Sequence, residues 1–106
     1  MSLDQVFAAL GDPTRRAMVA QLLEGEASVT ELAAPHDLAQ PTISKHLKVL
    51  EAAGIITTEV RGNARPRRLN PAALRDIDDW LAPFRAEWEA RLDNLERMIA
   101  DEKGGQ

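Results

Sequence analysis

Apolar side chains recur every three or four positions along most of this chain and every second position over one short stretch. That change of period predicts helices on either side of a hairpin. Ser2 is placed to cap a first helix carrying Leu3, Val6, Phe7 and Leu10, with Gly11 as its stop. Asp12 and Pro13 supply a capping carboxylate and then the residue best suited to a first helical turn. They open a helix whose apolar positions are Met18, Val19, Leu22 and Leu23, ending at Gly25. Ser28-Val29-Thr30-Glu31 has capping-box spacing, so a third helix is predicted to begin near Val29 and stop before Pro35. Residues 35 to 39 read as a tight connection. Ile43, Leu47 and Leu50 then form the buried stripe of a fourth helix that Gly54 terminates.

Beyond Gly54, Ile56, Thr58 and Val60 fall on one face of a strand, and Thr57, Glu59 and Arg61 on the other. Gly62-Asn63 signals a turn, and Arg65 to Leu69 returns as a second strand that Pro66 confines to an edge or a bulge. Asn70-Pro71 repeats the cap-plus-proline signature and starts a long helix through Leu74, Ile77, Trp80 and Leu81. Pro83 is expected to kink or restart it before a second stripe, Phe84, Trp88, Leu92, Leu95 and Ile99. Lys103 to Gln106 read as a frayed tail. The fold class is therefore mainly α with a small β-hairpin, about five to six helices, the last of them long and kinked. Helix, turn, helix and hairpin in that order are the parts of a winged helix-turn-helix. One domain over residues 1–106 accommodates them, with the helix-turn-helix at 29–53 and the wing at 55–70.

Composition narrows the function. At 106 residues, 44% apolar and 28% charged, the chain suits one globular domain. No run approaches the ~18 apolar residues of a membrane span, and the start lacks the basic and apolar regions of a signal peptide, so a cytoplasmic protein with no membrane partner is expected. The absence of cysteine removes disulfides, thiolate metal sites and cysteine nucleophiles. No carboxylate pair, Ser-His constellation or phosphate loop has useful spacing, so neither an enzyme nor a cofactor is expected.

The net charge of −4 argues against a polyanionic partner until it is resolved along the chain. From Leu38 to Arg75, seven basic residues face two acidic ones, a balance of +5, while the remainder carries −9. Within that basic stretch, Gln40, Thr42, Ser44, Lys45 and Lys48 lie opposite the apolar stripe of the fourth helix. Gln pairs bidentately with adenine, Lys donates to guanine or phosphate, and small hydroxyls serve either. Arg61, Arg65, Arg67 and Arg68 cluster around the hairpin turn, where phosphate neutralisation is the natural use of such density. These nine residues are the candidate DNA contacts. His46 borders the buried stripe, where packing and phosphate contact both remain open.

Leu10-Gly11-Asp12-Pro13-Thr14-Arg15-Arg16, Val29-Thr30-Glu31-Leu32-Ala33, Pro41 through Leu50 and Ala53-Gly54-Ile55-Ile56 resemble the ArsR family of winged-helix repressors. The resemblance implies a homodimer whose interface uses the first and last helices, residues 1–10 and 71–101, and repression relieved by an effector that the sequence does not identify or by other control. Three departures bear on that expectation. Ala39 stands where many family members have a capping Ser, weakening the local cap by about 1 kcal/mol unless Asp37 or water compensates. Pro66-Arg67 replaces aromatics common in the second wing strand. The family's thiolate site lacks its cysteines, and its alternative C-terminal site lacks histidine, because none follows His46. His36 and Asp37 alone fall short of a four-ligand zinc sphere, so no metal site is expected.

A small domain has difficulty covering Phe84, Trp88, Leu92, Leu95 and Ile99 internally, which favours a dimer seam. With the interface that the resemblance implies, Leu3 and Phe7 join them. A two-fold dimer sets its recognition helices about 34 Å apart, matching an imperfect palindrome. The function expected is thus sequence-specific duplex-DNA binding by a homodimeric, metal-independent repressor. The alternative is a winged-helix adaptor whose C-terminal stripe engages another protein.

Overall fold

The computed structural model describes residues 2–104, which divide after Arg75 into two compact units. The first contains α1 (Leu3–Leu10), α2 (Pro13–Gln21), α3 (Val29–Ala33), α4 (Gln40–Ala52), β1 (Ile56–Thr58) and β2 (Arg67–Leu69). It also holds the first residues of α5 (Pro71–Gly104), whose remainder forms the second unit. The molecule is mainly helical with one antiparallel hairpin, as the periodicity predicts.

Helix starts follow their capping chemistry. The Ser2 hydroxyl accepts from Gln5 N, and Asp12 Oδ2 accepts from Arg15 N at 3.0 Å with Pro13 in the first turn. The capping box of α3 is complete: Ser28 Oγ accepts from Glu31 N, and Ser28 N donates to Glu31 Oε1, each at 3.1 Å. Two reciprocal bonds help a helix of only five residues to persist. α4 ends in a Schellman motif, with Gly54 at φ 78°, Ile55 N donating to Leu50 O and Gly54 N to Glu51 O. The positive φ there is what glycine supplies.

Met18, Leu32, Ile43, Leu47, Leu50, Ile55 and Ile56 fill the core of the first unit, with Val6 and Ala9 from α1 and Ala73 from the start of α5. Burying each large side chain contributes roughly 1.5–3 kcal/mol before its entropy is charged. Two predicted apolar positions leave this core. Leu23 is 72% exposed because α2 stops at Gln21 and tightens into a 3-10 turn, Leu22–Glu24, which keeps Leu22 buried but turns Leu23 off the helical stripe. Val60 is 66% exposed because β1 ends at Thr58, so the alternating pattern outlasts the strand.

The second strand is also shorter than the stretch from Arg65 suggests, with register Ile56 to Leu69 and Thr58 to Arg67. The other edge of β2 is used as well: Ala27 N donates to Arg67 O at 2.9 Å and Arg67 N to Ala27 O at 2.8 Å. No periodicity marks this bridge, since it involves a single residue of each segment. At Pro83, α5 continues without a restart. The proline removes one backbone N–H from the ladder, and nearby the Arg85 guanidinium pairs with Asp78 Oδ1 at 2.5 Å and reaches the Asp78 carbonyl. Helix extends through Gly104, so Lys103 and Gly104 of the tail read from sequence are helical, while residues 105 and 106 lie outside the described ones.

Candidate nucleic-acid interface

The recognition-helix candidate is α4. Ile43, Leu47 and Leu50 are buried on one side, Gln40, Lys45 and Lys48 are exposed, and Thr42 and Ser44 are half-buried at the margin. Gln40 lies four residues before Ser44, and Thr42 and Lys48 each lie three from Lys45, so these side chains are neighbours on the helix surface. Ala39 is extended at its capping position and contributes no side-chain bond, so α4 begins without the cap a hydroxyl would provide.

The turn leading into α4 is fixed from α2. Gln21 Nε2 donates to the Leu32 carbonyl at 3.3 Å, and its Oε1 lies 2.9 Å from His36 Nε2. His36 is thereby engaged in the turn. His46 is half-buried with Nδ1 3.2 Å from an Arg15 guanidinium nitrogen and 4.0 Å from Asp12 Oδ2, which sets its ring against α2. Arg15 Nε also donates to the Ala9 carbonyl at 2.6 Å, and Arg16 to Leu10 O at 2.8 Å. Both arginines thus satisfy carbonyls at the end of α1, a role between distant segments that sequence spacing does not display. The Arg15 backbone N–H, followed by the charges of His46 and Arg15, holds the Asp12 carboxyl below its ordinary range despite some opposing desolvation.

The wing is closed at its tip by paired backbone bonds between Arg61 and Ala64, with Gly62 at φ 58° in the first central position of a two-residue turn. Its four arginines differ in environment. Arg61 forms a fork with Glu26, its second nitrogen 2.9 Å from Glu26 Oε2, and that nitrogen is also 2.5 Å from Glu59 Oε2. Hydrogen bonding and charge from Glu26, then charge from Glu59, raise the Arg61 guanidinium above its ordinary value. Arg68 lies 3.8 Å from Glu59 Oε1. Arg67 is half-buried and donates to the Arg65 carbonyl at 2.7 Å. Arg65 is exposed and, among the described residues, bonds the carbonyls of Gly62 and Ala64 alone. An open cleft of about 460 Å³ is lined by the wing tip together with Glu26, Ala27, Ser28, Val29 and Glu31.

Glu26 is the participant that sequence reading omits. It reaches the wing because Ala27, its neighbour, pairs with Arg67 in β2. On the second unit, Phe84, Trp88, Leu92, Leu95, Met98 and Ile99 are exposed in this single chain, with Trp88 at 59% and Phe84 at 55%. Trp80 and Phe84 stack at an angle with ring centroids 4.8 Å apart. Among the described residues, no three His, Cys, Asp or Glu side chains gather in a metal-binding arrangement.

Comparison with known proteins places this geometry in context. Residues 12–58 match the family described as bacterial regulatory protein, arsR family. The chain is 35% identical over 101 residues to the HTH-type transcriptional regulator Rv2034 of Mycobacterium tuberculosis, covering 95% of this chain and 92% of that protein. The transcriptional repressor SdpR of Bacillus subtilis is 32% identical over 82 residues, covering 77% and 91% respectively. The crystal structure of an ArsR family transcriptional regulator superposes with a TM-score of 0.73 at 40% identity, over 82% of this chain and 90% of that one. An ArsR-like regulator from Rhodococcus sp. RHA1 gives 0.70 at 31% identity, over 91% of each chain.

Proposed function

The chain belongs to the arsR family of bacterial DNA-binding regulators, and from that premise we propose that it is a homodimeric, metal-independent repressor that occupies an imperfectly palindromic operator. The observation that carries the reading is the outward face of α4, where Gln40, Lys45 and Lys48 stand beside Thr42 and Ser44 over a fully apolar buried face. Gln40, Thr42, Ser44 and Lys45 read or approach base edges, while Lys48 and the wing arginines meet phosphate. Arg65 leads the wing because no carboxylate pairs with it among the described residues. Repression works by occluding a promoter and requires no chemistry. The transcriptional regulators among the relatives favour DNA over the adaptor role.

The exposed stripe from Phe84 to Ile99 supports dimerisation, with Leu3 and Phe7 of α1 contributing to the same interface. Metal independence is supported by the donor inventory: there is no cysteine, and the two histidines contact Gln21 and Arg15. Zinc added to the DNA complex should leave its affinity unchanged.

Binding measured against salt tests the interface. Lys45→Ala should relax sequence preference, with a loss on the order of 1–3 kcal/mol confined to the preferred site. Arg65→Ala should weaken every duplex alike and lower the salt slope by about 1 per protomer. Unchanged binding by both variants would refute the assignment.

A further inference from the structure

Four wing arginines are not four equivalent phosphate contacts, because one of them already holds an anion. Glu26 meets Arg61 through both carboxylate oxygens, and Glu59 takes a second contact on the guanidinium at 2.5 Å. A carboxylate joined to guanidinium by two parallel bonds uses the same donor fork that a DNA phosphate uses. The position of Glu26 follows from the backbone, since the bonds between Ala27 and Arg67 fix the segment preceding α3 alongside the wing.

We infer that Glu26 is an internal substitute for a DNA phosphate: it occupies Arg61, holds the wing tip against the segment before α3, and keeps DNA affinity below what the wing's arginines allow. This rests on the DNA-binding reading above. Glu59 assists by contacting Arg61 and lying near Arg68, so the acids inside the wing grade its arginines from occupied to available. A phosphate approaching Arg61 has to displace a carboxylate and strand it beside the DNA backbone. Arg61 consequently braces the wing and meets phosphate only where that displacement occurs, and Arg65 at the open end of the series meets the backbone first. Glu26 is thus a positioning residue that limits affinity without touching DNA.

The pair is solvent-exposed, with Arg61 52% and Glu26 37% accessible, so the effect has the modest size of an exposed ion pair. Removing any acid also raises DNA affinity through net charge, and the control must subtract that general effect. Glu24 provides it, being exposed, two residues away and outside the ion pairs. Binding of the full chain to a fluorescein-labelled random-sequence duplex is measured by anisotropy across a salt series, after thermal melts establish that each variant folds. Random sequence suffices because phosphate contacts carry no base information.

Glu26→Gln should bind about two- to five-fold more tightly than Glu24→Gln at low salt. Its salt slope should be steeper by about 0.9 per protomer, as one further phosphate is neutralised. In an Arg61→Gln background this excess should disappear, leaving the two glutamate variants equal. Equal affinities and slopes for Glu26→Gln and Glu24→Gln in the otherwise native chain would overturn the inference while leaving the DNA reading intact. Failure of every form, including the native chain, to bind duplex DNA would overturn both.

Discussion

A single hydroxyl separates Ala39 from the residue type that best begins a helix. Its backbone already has the extended geometry of a cap, yet its side chain bonds nothing. Ala39→Ser should therefore stabilise the protein by about 1 kcal/mol in urea denaturation, by satisfying an N–H in the first turn of α4. An unchanged midpoint would mean that the first turn is satisfied by another route. Asp12 shows the opposite case, a cap that is present and charged. Its folded pKa lies below the ordinary 3.8, chiefly through the Arg15 N–H. The stabilisation is thus fully present above about pH 4 and is lost as pH falls through the lower folded value. Asp12→Asn should flatten the fall of stability on that acid limb, measured by denaturation at stepped pH below 5. Retention of the native slope would assign the acid sensitivity to other carboxylates.

At the scale of elements, α4 joins two tasks on one cylinder: an apolar face that anchors it and a polar face offered outward. Leu50 is completely buried, so Leu50→Ala should cost roughly 2–5 kcal/mol by calorimetry or urea melts. The loss of DNA binding should track the unfolded fraction and keep its sequence preference, unlike Lys45→Ala. Most helices were legible because their signals are local: Ser28 with Glu31, Asp12 with Pro13, and Gly54 after the stripe each act within a few residues. The end of α2 was less so, since Leu22 and Leu23 continue its pattern while the backbone tightens before Gly25. Val60 likewise continues an alternation that the strand pairing abandons.

For the whole molecule, the decisive quantity is the apolar area that one chain leaves in water. If the stripe of α5 is the seam between two copies, Trp88→Glu combined with Leu92→Glu should yield monomers in sedimentation. Operator affinity should fall by orders of magnitude, because one protomer reaches only one half-site. A monomeric native chain would remove the premise. The candidate DNA residues could be named from sequence because they lie within one helix and one hairpin. Sequence did not convey that Arg61 meets Glu26, that Arg15 joins His46 to the end of α1, or that Ala27 extends the pairing of β2. Each is a contact between segments distant in the chain, with no repeat or spacing to announce it.

The base of the wing carries a consequence for rebuilding this protein. Asn70 N donates to Ile55 O at 2.8 Å, and its side-chain amide donates to the Gly54 carbonyl at 2.9 Å while its Oδ1 accepts from Ala72 N. One residue thus ties the exit of α4 to the entry of α5 and seals the hairpin beneath its own strands. Residues inserted beside Asn63 would give up the paired bonds of the two-residue turn but leave this anchor beneath the strands in place, and further lengthening adds loop-closure entropy only slowly. The site is suited to grafting: a foreign recognition loop placed there inherits a rigid mount, while the groove-facing helix keeps its own footing.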